Sequence, residues 1–248
     1  MKFTLQKDQF SSLLKIFSII QDECNDCDIR NGIIRQFNNS INSIFQVNLS
    51  SILNDSTIPI SLLKQKIEMF KNFTGEDEIT INVSNEGDAY FSIIGKFSSL
   101  RIVFPKLEYL DNKFISEEDF SNKISNLSEE NLILSAEINK SVCNMIKGIS
   151  KVFSSESVRL VFNGDKSGIV SQSAGGDNFV KFISNLEVIK EVPKSFINIY
   201  SSLFTIDHDD GVSLKVYSND LNLFVIKSSS KVGDINIDIF ARDRLTRA

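Results

Sequence analysis

The sequence has few of the residues from which disulfide frameworks and metal sites are built. Its 248 residues include three cysteines and a single histidine, His208. Three cysteines cannot form a disulfide framework and are typical of a reducing compartment. Cys24 and Cys27 have CxxC spacing, but a zinc site needs a second pair of ligands, and a thioredoxin-like motif would not follow a predicted helix. We therefore expect these thiols to lie outside any disulfide or metal site, and we expect no cofactor.

Long apolar segments are also absent. The apolar runs are short, residues 132–134 being an example, whereas a helix that crosses a bilayer needs about 20 apolar residues. The first six residues contain no apolar region long enough for a signal peptide. The sequence therefore predicts an intracellular protein that has no membrane partner.

Recognisable catalytic motifs are missing as well. The chain has no GxxxxGK[ST] loop and no HExxH motif. His208 lies among Asp207, Asp209 and Asp210, which could form a metal or acid–base cluster, but its place between a predicted helix and a predicted strand favours a solvated turn. Gly175-Gly176 is typical of a hairpin or loop. These features predict a protein that is not an enzyme.

The periodicity of the apolar residues predicts an α+β fold in which one architectural unit occurs four times. Each unit has a strand, a helix and three further short strands, so the chain has two similar halves. We expect the helices to lie on one face of antiparallel sheets. The predicted helices cover residues 7–20, 61–73, 139–153 and 193–205.

The two halves are separated by an acid-rich segment without a clear period. It carries Glu117, Glu118 and Asp119 together with several Ser and Asn residues, which is typical of an exposed connector between domains. We therefore predict an N-terminal domain over residues 1–105, a connector over residues 106–130 and a C-terminal domain over residues 131–248.

Each predicted helix has an apolar face and an opposite face that carries lysine. In the third helix the polar face contains Lys140, Asn144, Lys147 and Lys151, with small polar residues between the charges. Across the four helices, the lysines of the polar faces are Lys7, Lys15, Lys64, Lys71, Lys140, Lys147, Lys151 and Lys194.

In two of the helices, the same periodicity also assigns individual residues to the buried or to the exposed face. In the second helix, Leu62 and Leu63 are predicted to face the core. Lys66 also falls within this apolar face, so either the helix begins elsewhere or the lysine snorkels to solvent. In the fourth helix, the apolar face contains Phe196, Tyr200, Leu203 and Phe204, and Asn198 lies opposite.

Positive charge is concentrated in these helices although the whole chain is acidic. The formal net charge is −5, which argues against a general nucleic-acid-binding surface. The four predicted helices contain nine lysines and two acidic residues, so they carry +7 while the rest carries −12. Lysines among small polar residues suit sequence-independent contacts with phosphates. The lack of aromatic residues on these faces disfavours single-strand binding, so a duplex nucleic acid, bound weakly and without sequence preference, is the predicted ligand.

Several segments, in this order and spacing, resemble those of the two-domain DNA sliding clamps, the family of proliferating cell nuclear antigen and its phage relatives. The similar segments are Asn31-Gly32-Ile33, Ile44-Phe45-Gln46-Val47-Asn48-Leu49, Ile60-Ser61-Leu62-Leu63, Met69-Phe70-Lys71, Gly75-Glu76-Asp77-Glu78-Ile79-Thr80, Val212-Ser213-Leu214-Lys215-Val216, Leu223-Phe224-Val225-Ile226 and Asp234-Ile235-Asn236-Ile237-Asp238-Ile239-Phe240-Ala241. Together they span nearly the whole chain.

The resemblance implies a processivity factor that encircles duplex DNA and tethers a replicative polymerase. Subunits of this kind usually close as homotrimers, in which helices line the central hole and sheets form the outer wall. The eight lysines of the polar faces would then point at the DNA, and an ATP-driven clamp loader would place the ring on the duplex.

The resemblance also implies an apolar pocket that binds short peptides of the polymerase and other partners. Its candidate residues, from the first domain, the connector and the C-terminal segment, are Ile41, Ile44, Leu107, Tyr109, Leu110 and Phe240. The basic C-terminal tail, residues 242–248, differs from eukaryotic and archaeal members and favours a phage or viral clamp, which would act in the cytoplasm of a bacterial host.

Two further functions agree with the same helices and lysines. One is a monomeric clamp-like processivity factor that holds DNA by charge on an open helical face, although +7 is a modest charge for this. The other is a checkpoint-type ring subunit that serves as a scaffold. Retention on circular DNA that is lost on linearisation distinguishes a closed ring from a surface binder.

Overall fold

The computed structural model describes most of the chain. The described residues are 1–38, 43–54, 56–84, 89–105, 114–124, 127–155, 157–161, 168–173, 178–182, 185–190, 196–204, 210–218 and 224–242. Among them, no helix is long and apolar enough to cross a bilayer.

The N-terminal half contains eight strands and three helices among the described residues. In chain order they are β1 (Lys2–Gln6), α1 (Lys7–Glu23), β2 (Cys27–Arg30), β3 (Ile33–Asn38), β4 (Ser43–Asn48), α2 (Ser50–Leu53), β5 (Ile58–Ile60), α3 (Leu63–Phe70), β6 (Glu78–Ser84), β7 (Tyr90–Ile94) and β8 (Ser99–Val103). A 3₁₀ turn, Lys71–Phe73, continues α3.

The C-terminal half begins with a helix that precedes its first strand. Its elements are α4 (Glu117–Ile124), β9 (Leu132–Asn139), α5 (Lys140–Val152), β10 (Ser157–Val161), β11 (Gly168–Gln172), β12 (Phe179–Phe182), β13 (Asn185–Val188), β14 (Phe196–Tyr200), β15 (Gly211–Ser218), β16 (Phe224–Val232) and β17 (Ile235–Arg242). Between β14 and β15 there is a 3₁₀ turn, Ser201–Phe204.

The chain divides into two compact units whose strands follow the same order. The first unit comprises residues 1–38, 45–116 and 232–237, and the second comprises residues 39–44, 117–231 and 238–248. The first unit contains strands in the orders β1-β6-β7-β8 and β5-β2-β3-β4. The corresponding strand orders in the second unit are β9-β15-β16-β17 and β14-β10-β11-β12, and β13 is added outside β9. The predicted α+β fold with internal duplication is confirmed. The predicted domain boundaries stay a prediction.

Aromatic packing joins α1 and α3, the two longer helices of the first unit, to a sheet. The ring of Phe70 on α3 lies 6.0 Å from that of Phe17 on α1 and 5.9 Å from that of Phe91 on β7. Phe10 and Phe17 are fully buried on the inner face of α1. Burial of one such side chain stabilises the folded state by about 1.5–3 kcal/mol. This cluster therefore fixes the orientation of α1 and α3, and with it the side on which their exposed residues lie.

The predicted helix over residues 193–205 is wrong for residues 196–200, which form β14. Register places Ser157 opposite Tyr200 and Val161 opposite Phe196. The run of isoleucines and aromatics between them favours a strand, and Ile197, Asn198 and Ile199 are all buried. Asn198 is therefore not on a polar helix face. Leu203 and Phe204, in the 3₁₀ turn, are buried as predicted.

A helix also lies within the segment predicted to be an aperiodic connector. Helix α4 has Glu117, Glu118 and Asp119 in its first turn, where carboxylates interact favourably with the helix dipole. Its Phe120 is buried. The acid-rich composition concealed this helix, whose apolar signal is confined to Phe120 and Ile124.

The start of α3 is capped by a turn from elsewhere in the sequence. The backbone N–H of Leu62 donates to Asp26 Oδ1 at 3.0 Å, and that of Leu63 donates to the carbonyl of Asn25 at 2.7 Å. Leu62 has a left-handed conformation, with φ 52°, and is exposed. Its predicted place in the core is wrong because the helix begins at Leu63, two residues later than predicted.

The same turn contains the CxxC pair. Cys24 and Cys27 are buried thiols that form no disulfide in the described structure. Burial raises the pKa of the Cys27 thiol well above its usual range, so it is protonated at neutral pH and a poor nucleophile. The described residues contain no group of three or more His, Cys, Asp or Glu side chains that could hold a metal.

The capping geometry predicts that Asp26 stabilises the first unit. Replacing Asp26 with Ala removes the acceptor of a helix-terminal N–H, so Asp26→Ala should lower the free energy of unfolding by about 1–2 kcal/mol. Asp26→Asn keeps an acceptor oxygen and should lose less. Urea unfolding followed by circular dichroism measures both, and equal stability of Asp26→Ala and the wild type would show that the cap is not needed.

Candidate nucleic-acid interface

Helix α5 presents the clearest lysine face in the described structure. Lys140, Asn144 and Lys151 are exposed and Lys147 is half-buried, whereas Ile146 on the opposite face is fully buried. The thirteen residues of α5 include three lysines and no acidic residue. The predicted amphipathic pattern of this helix therefore holds, and its positive charge is not neutralised along the helix itself.

The end of β9 determines where α5 begins. Asn139 is the last residue of β9 and caps α5, because its Oδ1 accepts a hydrogen bond from the N–H of Val142 at 2.9 Å. On the neighbouring strand, Gly211 lies opposite Asn139 with φ 131°. A Cβ at Gly211 would lie 2.3 Å from the carbonyl oxygen of Ile138, so only glycine fits this close approach.

Lysines occupy the first position of two helices, where positive charge is unfavourable. Lys7 directly follows β1 and begins α1, and Lys140 directly follows β9 and begins α5. A helix N-terminus has a partial positive charge, so a cation there costs about 0.3–1 kcal/mol. The same arrangement favours the binding of phosphate. These positions therefore reduce stability while they increase the local attraction for an anion.

The lysines of α1 and α3 differ from one another in exposure and in ion pairing. Lys7 and Lys64 are exposed, and Lys15 is half-buried. The Nζ of Lys71 lies 2.6 Å from Glu68 Oε1, so part of its charge is neutralised by a neighbour on the same surface. Lys66 flanks the buried face and is half-buried, which agrees with a snorkelling side chain.

The charge of the observed helices differs from that of the predicted ones. Helix α1 ends at Glu23 and so includes two acidic residues, Asp22 and Glu23, beyond the predicted range of 7–20. Counted over α1, α3 with its 3₁₀ turn, and α5, there are eight lysines and four acidic residues. The positive excess therefore rests mainly on α5. Lys194 lies outside the described residues.

Among the candidates for the partner pocket, two are described and four are not. Ile44 and Phe240 are both buried. The side chain of Phe240 packs against Phe120 of α4, with ring centroids 5.3 Å apart at 75°. The candidates outside the described residues are Ile41, Leu107, Tyr109 and Leu110. Sequence reasoning missed Phe120, whose only signal was an apolar residue one turn from Ile124.

Two strands end their sheets with exposed apolar side chains. Strand β8 ends the sheet of the first unit that begins with β1, and β12 ends the sheet of the second unit that contains β10 and β11. Val103 on β8 is 61% exposed and Phe179 on β12 is 69% exposed. An edge strand with exposed apolar residues is a template for pairing with another chain.

Comparison with known proteins gives a match at the level of structure. No protein-family model and no curated protein sequence matches the chain. The structure is similar to that of the PCNA2–PCNA3 complex from Sulfolobus tokodaii, with a TM-score of 0.67, 12% identity, and coverage of 98% of this chain and 99% of that chain.

A second solved structure is similar to this chain to the same degree. It is A. fulgidus PCNA bound to the C-terminal region of FEN-1, with a TM-score of 0.67, 10% identity, and coverage of 100% of this chain and 99% of that chain. Both matches extend over nearly the whole of each chain. The chain therefore has the fold of the PCNA sliding clamps.

Proposed function

We propose that this protein is a sliding clamp, which encircles duplex DNA and tethers a replicative polymerase without a catalytic group of its own. The observation that carries the proposal is the acid-free lysine face of α5 on a chain with the PCNA fold. The proposal includes a polymerase and a clamp loader as partners, and a place with the replication machinery of the cell, or of a bacterial host if the chain is phage-encoded.

Enclosure makes strong attraction to DNA unnecessary. A closed ring stays on DNA as long as it stays closed, so each contact between lysine and phosphate can remain weak and interchangeable. At physiological salt the Debye length is about 8 Å, which limits these contacts to the layer next to the duplex. The acidic remainder of the chain would repel a second duplex outside the ring. These properties allow sliding, because no contact depends on sequence.

We propose further that copies of the chain close into a homotrimer by pairing β8 of one subunit with β12 of the next. Both strands end their sheets and expose apolar residues. Antiparallel pairing would satisfy their outer N–H and C=O groups and bury Val103 and Phe179. In such a ring α1, α3 and α5 would line the hole.

The first test concerns the lysine face of α5. Changing Lys140, Lys147 and Lys151 together to Glu replaces three attractive charges by three repulsive ones, so the half-life on nicked circular DNA should fall at least tenfold. The measurement is retention of loader-assembled protein on circular DNA at physiological salt. A matched control changes Lys96, Lys215 and Lys231 to Glu. These lysines are exposed and lie outside the helices, so this variant should keep wild-type retention on circular DNA.

The same assay distinguishes a ring from a surface binder. Wild-type protein should leave the DNA rapidly once the circle is cut, because a ring slides off a free end. Equal retention on circular and linear DNA would favour the monomeric factor. Wild-type retention by the triple variant would show that α5 does not face the duplex.

Lys140 alone offers a test in which stability and function change in opposite directions. Lys140→Glu places a carboxylate at the first position of α5, so the free energy of unfolding should rise by about 0.3–1 kcal/mol. Retention on DNA should nevertheless fall. Thermal unfolding and the circular-DNA assay measure the two effects, and a loss of both would indicate ordinary damage to the fold.

Assembly can be tested at the two edge strands. Val103→Asp or Phe179→Asp would place a carboxylate in the proposed interface, and each should convert the trimer to monomer in native mass spectrometry. The matched control is Val188→Asp on β13, which ends a different sheet. A trimer that survives both changes, or that is lost only in the β13 variant, would place the interface elsewhere.

A further inference from the structure

The four-stranded sheet of the second unit has one face turned away from the core. On β10 burial alternates, and Val158 and Leu160 are the buried residues. Arg159 lies between them, so it is on the opposite face, where it is half-buried. Asn198 of β14 and Val170 of β11 are its neighbours on either side. Because paired residues share a face, these three residues form one row across the outer face of the sheet.

The side chain of Arg159 is held in place on this outer face. Its guanidinium carbon lies 5.0 Å from the centre of the Phe196 ring, and its Nη1 donates a hydrogen bond to Gln172 Oε1 at 2.7 Å. Because this acceptor is a neutral amide, the hydrogen bond does not neutralise the positive charge of Arg159. A guanidinium stacked on an aromatic ring is preorganised for contact with phosphate.

The charge of this sheet differs from that of the whole chain. Strands β10, β11, β12 and β14 contain two basic residues, Arg159 and Lys181, and no acidic residue, whereas the net charge of the chain is −5. Lys181 is paired with Val170 and so lies on the same face. Its stem crosses Gly168, where an added Cβ would lie 2.7 Å from Lys181 Cε. The strands that form this face are therefore complementary in charge to a phosphate backbone.

Aromatic rings on the same face add a second kind of contact. Phe196 and Tyr200 lie two residues before and two residues after Asn198 on β14, and both are half-buried. On open antiparallel sheets, such rings stack on unpaired bases while basic side chains bind the phosphates. A duplex keeps its bases stacked inside its own helix and cannot use these rings. This face therefore suits a single strand, in contrast to the lysine faces of the helices.

We infer that the outer face of β10, β11, β12 and β14 is a binding site for single-stranded nucleic acid, in which Arg159 contacts phosphate and Phe196 stacks on a base. Three strand spacings of about 4.8 Å span about 14 Å, which accommodates about two or three bases, as in other sheet-based modules. The inference goes beyond the proposed function and does not depend on ring closure, because all of its residues lie in the second unit.

The first test places a fluorescent reporter at the proposed stacking position of the full-length protein. The chain contains no tryptophan, so Phe196→Trp introduces a single tryptophan emission. Oligothymidylate should quench this emission because its bases stack on the ring. An abasic oligomer of the same length has the phosphates without the bases, so it should bind at least about fivefold more weakly and should not quench. Absence of quenching by oligothymidylate, or equal quenching by both oligomers, would overturn the inference.

The second test measures the two side chains by the anisotropy of fluorescein-labelled oligothymidylate at low salt. Arg159→Gln and Phe196→Ala should each weaken binding at least about fivefold, whereas Phe196→Tyr keeps a ring and should bind as the wild type does. Lys215→Gln, the matched control, removes one exposed charge from β15 and should not weaken binding. Equal losses in Arg159→Gln and Lys215→Gln would indicate a general charge effect and contradict the inference. If Phe196→Ala fails to fold, Phe196→Leu takes its place, since it keeps apolar area but lacks the ring.

The variant with Lys140, Lys147 and Lys151 changed to Glu separates this site from the proposed function. It should lose retention on circular DNA and still bind oligothymidylate. Loss of oligothymidylate binding in this variant but not in Arg159→Gln would place single-strand binding on α5 and overturn the inference. Wild-type protein that binds oligothymidylate but is not retained on circular DNA would contradict the proposed function and leave this site standing.

Oligouridylate of the same length distinguishes RNA from DNA as the source of the strand. Binding of either oligomer that depends on Arg159 and Phe196 supports the site, and the tighter of the two identifies the sugar that it prefers. Failure of both to bind would leave the face to a protein partner and overturn the inference.

Discussion

The register of one strand pair in each unit determines where the lysines point. Strand β1 pairs with β6 so that Gln6 lies opposite Glu78, and β9 pairs with β15 so that Asn139 lies opposite Gly211. In both units the helix begins at the next residue, without a linker. Because an α-helix turns 100° per residue, a slip of one position would rotate the whole lysine face. The buried alternation of β1 and β9 prevents such a slip.

Both units also carry positive charge at positions where folding alone would not favour it. Lysine at the first position of α1 and α5 opposes the helix dipole, and α5 has no acidic residue to offset its three lysines. Such positions cost stability but strengthen attraction for phosphate. A merely solvated helix face would gain from acids in the first turn, as α4 has. The contrast between α4 and α5 within one unit supports a functional reason for the lysines of α5.

Much of the fold could be predicted from the sequence, because its signals are local and periodic. The 3.6-residue period of α5 and the alternation in strands such as β6 were sufficient for both elements. The errors came from long-range pairing: residues 196–200 fit a helix by period, but pairing with β10 makes them a strand. The contact of Phe120 with Phe240 could not be predicted, because the two residues lie 120 positions apart. The lysine face of α5 was predictable, whereas the acids at the end of α1 were missed because the helix extends beyond its apolar repeat.

The nonlocal cap of α3 has a consequence for the order in which the chain becomes structured. The N–H of Leu62 is satisfied by a carboxylate 36 positions earlier in the sequence, and α3 has no side-chain cap of its own. A helix of eight residues is not stable in isolation, so α3 can persist only after the turn before β2 has formed. On a ribosome or in refolding, the turn that contains Asp26 should therefore be in place first, and α3 should acquire native structure only after it.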